Sequence, residues 1–225
     1  MKKIGLLIFI FALAIGLAFS TNCSFGGFKN FGGVQGSGTS KTERRDVSDF
    51  NKVDAGGAIN IEVSVQKDFY VEVQADDNLL ANIKTEVSGD TLKIYSEDRI
   101  SPKTRINVKI SMPEIEGLEV SGASSGVVSN VKADSLELKA SGASKIKIDG
   151  AAGNLEADAS GASTIDAENL KVEDANVDAS GASSAIVSAS NDLKVNASGA
   201  SKISYTGEPK NIKQNSSGAS SVTKK

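Results

Sequence analysis

The chain has no histidine and no tryptophan, three prolines and a single cysteine. Each shortage removes a class of function. Without histidine there is neither the commonest general base nor the commonest transition-metal ligand. A serine nucleophile therefore has no His partner. A lone cysteine cannot build an internal disulfide framework. The formal net charge of −3 is too mild to point to nucleic acid or to strongly charged partners. No P-loop or dinucleotide-binding glycine pattern follows a strand. The four arginines, Arg44, Arg45, Arg99 and Arg105, all lie outside the repeats described next, so a lyase-like basic site has no basis. We find no catalytic constellation, metal site or cofactor site in the sequence.

What is present is a repeat. The string Ser-Gly-Ala-Ser begins at Ser121, Ser141, Ser160, Ser180, Ser198 and Ser217, in steps of 20, 19, 20, 18 and 19 residues. A fixed period near 20 marks a solenoid, in which one small unit stacks on itself. With the first Ser as position zero, the residues one, three and five before it form mostly apolar columns. The column five before runs Glu116, Leu136, Leu155, Ala175, Leu193, Ile212. The column two before is polar: Glu119, Lys139, Asp158, Asp178, Asn196, Asn215. Period two is the strand period, so each unit carries a strand with one face inward. Alternation resumes after the string, at Ile146 and Ile148 or Val187 and its neighbours. A helix is excluded by the apolar spacing and by a Gly-bearing turn in every unit. Neither the leucine-rich signature nor the calcium-binding nonapeptide spacing is present. The chain reads as an all-β, right-handed parallel β-helix with rungs of 18–20 residues. At about 4.8 Å per rung, six rungs make a rod roughly 25–30 Å long. The glycines of the string, Gly122, Gly142, Gly161, Gly181, Gly199 and Gly218, are expected to supply positive φ or close approach at a sharp corner. The adjoining alanines, such as Ala143, are expected to point into that corner.

The stacked Asp158 and Asp178 read as part of a solvated face, with a weak cation site as the alternative. The Ser ladders at positions zero and three suit a corner, where hydroxyls bond local backbone. A regular polar surface for a glycan, another copy or ice is the functional alternative.

Taken in order, Lys2 and Lys3 precede an apolar run from Ile4 to Phe19. That is a secretory signal, short for a permanent spanning helix. Residues 1–22 are assigned to it. Cys23 follows, and the arrangement resembles a bacterial lipoprotein signal, which implies a lipid on Cys23 and a membrane anchor. The match is loose, since Ser20-Thr21-Asn22 stands before the Cys. Ordinary cleavage after Ser20 would leave a free thiol instead. Residues 23–46 are rich in Gly and Ser and read as a flexible tether. Residues 47–225 read as a single β-helix domain, with irregular rungs or a cap over 47–117 and regular repeats over 118–225. Within the irregular part, Asp77 to Lys84 is expected to form one helical turn. A polar last rung with Gln214, Ser216 and Lys224-Lys225 fits a capping role.

Val53-Asp54-Ala55-Gly56-Gly57-Ala58-Ile59-Asn60-Ile61 falls onto the repeat columns with Gly56 at position zero. This phrase resembles the opening of a bacterial family, the putative auto-transporter adhesin, head GIN domain. Gly57, Ile59 and Asn60 supply the three letters, with Ala58 inserted. Leu118 to Ser124 is similar to that family's central motif. The resemblance spans about Val47 to Val222 and implies an envelope-associated β-helix with an adhesive role; it carries no catalytic residues over. The expectation is an exported, non-catalytic, adhesin-like envelope protein, an outer-membrane lipoprotein. Its partners would be the membrane, through the anchor, and a polysaccharide or a host or cell-surface protein. Rival readings are a glycan-binding or glycan-cleaving protein and a spacer that associates through its ends.

Overall fold

The computed structural model describes residues 33–225. Every regular element among them is a β-strand, and together they form a β-solenoid of about five turns. The irregular part comes first. It contains β1 (Val34–Gln35), β2 (Ser40–Arg45), β3 (Lys52–Ala55), β4 (Ile59–Val65), β5 (Tyr70–Asp76), β6 (Ile83–Ser88), β7 (Thr91–Ser96), β8 (Ile100–Ser101) and β9 (Ile106–Met112). β7 lies parallel under β3, and β9 lies parallel under β4. The chain therefore enters above its base rung, descends to lay it down, and then climbs. Antiparallel strands cover the base: β6 pairs with β7, β5 with β9, and β2 with β5. Leu92, Ile94, Val108 and Ile110 of the base rung are buried against Val53, Ala55, Ile61 and Val63 above. The hairpins explain why the 20-residue register disappears between Gln66 and Pro113.

Two expectations for this part are corrected. Residues 33–46 do not form a tether: β1 pairs with β8, and β2 joins the sheet. The glycines here serve close approach rather than flexibility. A Cβ on Gly33 would lie 1.9 Å from the Arg99 carbonyl oxygen, and one on Gly36 would lie 2.2 Å from Asp76 Oδ2. Asp76 is the staple. Its fully buried carboxylate accepts N–H bonds from Gly38 (2.7 Å), Lys103 (2.8 Å) and Thr104 (3.1 Å). Burial alone would push its pKa up, but the backbone donors of Thr104, Lys103 and Gly38 outweigh that and hold it below the ordinary aspartate value. The second correction concerns Asp77 to Lys84. Residues 77–82 form consecutive turns that lead into β6, and no helix forms. Leu79, Leu80 and Ile83 are buried all the same.

The regular part contains β10 (Gly117–Val120), β11 (Ser125–Ala140), β12 (Lys145–Ala159), β13 (Thr164–Ala179), β14 (Ser184–Ala189), β15 (Asp192–Ala197), β16 (Lys202–Thr206), β17 (Asn211–Ser216) and β18 (Ser221–Lys224). All of these strands stack in parallel, so the apolar columns become rows of core side chains. Leu136, Leu155, Ala175 and Leu193 lie one above another and are buried. The return side keeps its ladder through β11 to β13, with register shifts next to Asn130 and Gly150, both at positive φ.

The corner is the most regular feature. Each Ala N–H donates to the carbonyl of the Gly one rung below: Ala143 to Gly122 at 2.8 Å, Ala162 to Gly142 and Ala182 to Gly161 at 2.7 Å. The string glycines share a φ of 72–74°. A Cβ on Gly161 would sit 2.7 Å from the Gly142 carbonyl oxygen. Both backbone conformation and stacking distance exclude a side chain there. The corner alanines, expected inside, are exposed, and the position-three serines take the inward place instead. Ser124, Ser144, Ser163, Ser183 and Ser201 are 1–2% exposed. Three of these hydroxyls donate to the rung below, Ser163 to Ala140 O at 2.9 Å, Ser183 to Ala159 O at 3.0 Å and Ser201 to Ala179 O at 3.1 Å, whereas Ser124 Oγ accepts the Ile59 N–H and Ser144 Oγ is left without a partner among the described residues. Where it forms, this bond adds a second stitch between rungs at the corner. This ladder is therefore not a surface, which removes it as a glycan or ice platform.

Gly161→Ala should cost about 3 kcal/mol in denaturant unfolding, from positive φ and the clash with a backbone oxygen. Gly218→Ala meets the same φ and a Cβ 2.8 Å from the Gly199 carbonyl oxygen, but the last described rung can relieve the clash by opening locally, so the cost should be about 1 kcal/mol. Equal costs, or no cost at Gly161, would contradict the role given to the corner.

Candidate functional site

The outward faces of the stacked strands are the surfaces left to act. The strands before the corner display three polar columns in register. The column next to the corner is Lys139, Asp158, Asp178, Asn196 and Asn215. Its upper part is a hydrogen-bonded ladder. Asn196 Nδ2 donates to Asp178 Oδ1 at 2.7 Å, and Asn215 Nδ2 donates to Asn196 Oδ1 at 2.9 Å. A shallow groove of about 340 Å³ follows it, lined also by Ser160, Ser180, Ser198 and Ser217. A parallel ladder stands at the far edge of the face. There Asp174 Oδ1 accepts from Asn191 Nδ2 (2.8 Å) and the Asp192 N–H (3.0 Å), and Asn211 Nδ2 donates to Asp192 Oδ1 (2.7 Å). The column between them is Glu137, Glu156, Asn176, Lys194 and Lys213. A second groove, of about 860 Å³, runs over that column and is lined by its last four members.

Asp158 is the electrostatic exception on this face. Partial burial is the largest influence on it, followed by the charges of Asp178 and Glu156, and together they raise its pKa above the usual carboxylate value; Lys139 opposes them. It lacks the amide neighbour that Asn196 gives Asp178. The arrangement suits hydrogen bonding to a polar, extended ligand rather than proton transfer. Among the described residues, no group of three or more His, Cys, Asp or Glu side chains is placed to hold a metal.

The other residues singled out in the sequence are structural in position. Gly57 has φ 106°, and its carbonyl accepts the Ala123 N–H at 2.7 Å, so it is one member of the corner stack. Gly56 precedes it, and a Cβ there would touch Ser121 Oγ at 3.0 Å. Ile59 occupies the place that the buried serines hold above, and its N–H donates to Ser124 Oγ at 3.1 Å. Asn60 joins three rungs: Ser125 Oγ donates to its Oδ1 (2.7 Å), and its Nδ2 donates to Asn107 Oδ1 (3.2 Å). Cys23 lies outside the described residues. The Asn ladders went unnoticed in the sequence, although a column of Asp and Asn at a fixed period was the available signal.

The described residues thus form a β-solenoid of corner-stitched rungs that displays polar columns on its outer face. The family model described as putative auto-transporter adhesin, head GIN domain, matches residues 49–209, and the chain belongs to that family. Solved structures share the fold. A putative adhesin from Bacteroides fragilis is 19% identical, with a TM-score of 0.71 over 85% of this chain and 100% of that one. A putative adhesin from Parabacteroides distasonis is 22% identical, with a TM-score of 0.58 over 85% and 99%. A putative lipid binding protein from the same species is 20% identical, with a TM-score of 0.54 over 85% and 99%. At these identities the likeness is one of fold alone. No curated protein matches the sequence.

Asp158→Asn should raise stability by about 0.5 kcal/mol at pH 7, because the amide can donate to Asp178 and one like charge is gone. The sign with pH follows from the raised folded-state pKa: the charged form is penalised above that pKa, and the penalty vanishes as pH falls through it. The advantage of the Asn variant should therefore shrink below the carboxylate range in urea titrations. A gain independent of pH would contradict this reading.

Proposed function

We propose that the chain is a non-catalytic, adhesin-like protein of the bacterial cell envelope, held at the membrane by a lipid on Cys23. The observation that carries this reading is the rigid stack itself. Its side chains are displayed in fixed columns on a flat face, and adjacent rungs repeat at about 4.8 Å. Such a surface recognises extended or repeating partners without moving. The family assignment supports an exported, envelope location. An outer-membrane lipoprotein is the specific form we favour, because the only cysteine lies just beyond the apolar leader, after Ser20-Thr21-Asn22. A glycan is the second candidate ligand, favoured by the Asp178–Asn196–Asn215 ladder, whose carboxylate and amides match sugar hydroxyls.

The test uses bacteria producing the full chain or its Cys23→Ala variant. Cells are labelled with palmitate and applied to surfaces coated with bacterial and host polysaccharides and matrix proteins. The wild type should take up label and adhere to one class of coating, and Cys23→Ala should lose both. Label persisting in the variant would refute the anchor. Absence of adhesion to every coating would refute the heterophilic adhesin reading.

A further inference from the structure

The middle column of the polar face has an unusual charge order. Along consecutive rungs it reads Glu137, Glu156, Asn176, Lys194, Lys213, each in Cα register with the next. Two acids, a neutral amide and two bases follow one another. Within one chain this order is unfavourable. Like charges directly opposite on neighbouring strands repel, and alternating signs would have removed the repulsion. Only Glu137 has relief, through an ion pair with Lys139. Glu156, Lys194 and Lys213 are exposed, and none of them forms an ion pair among the described residues.

Reversing the order turns every charge into its complement. A second copy laid face to face and antiparallel, with a two-fold axis through Asn176 along the strand direction, sets the same column against itself upside down. Glu156 then meets Lys194 of the other copy, and Glu137 meets Lys213. Each such pair occurs twice, as an isologous interface requires. A parallel arrangement would instead set acid against acid and base against base. The groove over Glu156, Asn176, Lys194 and Lys213 leaves room for the long side chains to interleave. The cost sits at the centre, where Asp174 and Asp178 would each face their own copy. Both already accept amide hydrogen bonds within their own chain, Asp174 from Asn191 and Asp178 from Asn196. The contact is accordingly weak for one pair and gains strength from many.

We propose that this face recognises a second copy of the same chain in antiparallel orientation. The proposal deepens the adhesin-like reading and rests on it for its consequence. The described chain begins at the capped base of the rod, with β1 and β2. Antiparallel pairing therefore places the two starts at opposite ends, the arrangement that chains anchored on two facing cells would adopt.

The test is sedimentation equilibrium of the full chain carrying Cys23→Ser, at up to about 1 mM protein and low salt. The parent should dimerise reversibly, and salt near 1 M should return it to monomer. Lys194→Glu with Lys213→Glu should be monomeric, as should Glu137→Lys with Glu156→Lys. An equimolar mixture of the two double variants should associate at least tenfold more tightly than either alone. Orientation is read by thiol cross-linking. A Glu156→Cys chain should cross-link to a Lys194→Cys chain and not to another Glu156→Cys chain. A parent that stays monomeric at the highest concentration, or a mixture no tighter than its components, overturns the proposal, as does cross-linking between two Glu156→Cys chains. These readouts are independent of adhesion to the coated surfaces, so either reading can fail alone.

Discussion

The structure depends on one contact: the alanine N–H of each corner donating to the glycine carbonyl of the rung beneath, at 2.7–2.8 Å. It fixes the axial spacing at the tightest bend of the chain. It also dictates the sequence around it. The carbonyl can come that close only because the glycine above it has no Cβ, and the bend can form only at positive φ. The serine two residues on from that glycine turns inward and, at Ser163, Ser183 and Ser201, adds a second bond to the rung below. With the corner pinned, the strands on either side have no freedom to slip, since a one-residue shift would turn the core columns to solvent.

That rigidity is what makes the outer face useful. Side chains on a stacked sheet cannot choose their neighbours, so the order of residues along a column becomes a fixed pattern in space. The Asp–Asn ladders exploit this by bonding rung to rung. The charge-segregated column through Asn176 does the opposite and leaves like charges adjacent. Read together, the face consists of two edges with internal bonds on either side of a strip that lacks them, and that strip is where an outside partner has most to gain. The corner, by contrast, exposes only glycine, alanine and a single hydroxyl per rung.

Much of this was legible in the sequence. The period of the Ser-Gly-Ala-Ser string and the alternation around it specify parallel stacked strands, because each unit obeys the same physics as its neighbours. The Val53–Ile61 phrase could be placed on the same columns for that reason. The misreadings have physical causes. Ala and Ser differ little in size, so the sequence could not say which one turned inward; the hydrogen bond to the rung below decides it. Glycines at 33, 36 and 38 have the composition of a linker, yet Arg99 and Asp76 approach Gly33 and Gly36 too closely for a side chain, and Gly38 bends at a φ of 92°. The staple that orders this segment, Asp76, is one unremarkable aspartate in the sequence and gains its role only from donors 27 to 38 residues away. The hairpins over the base break the period because antiparallel pairing needs no repeat. Local pattern reveals elements that repeat, and long-range polar contacts made once leave no pattern to read.

The most direct test of the central claim is native-state hydrogen exchange at the corner amides. Ala143, Ala162, Ala182 and Ala200 are exposed turn residues by position and would ordinarily exchange fast. If their N–H groups hold the stack together, they should exchange only through global unfolding, as slowly as the core amides of β12 and β13, with Ala219 at the terminal rung faster. Rapid exchange at Ala162 and Ala182 while the strands stay protected would show that the corner follows the stack rather than fixing it.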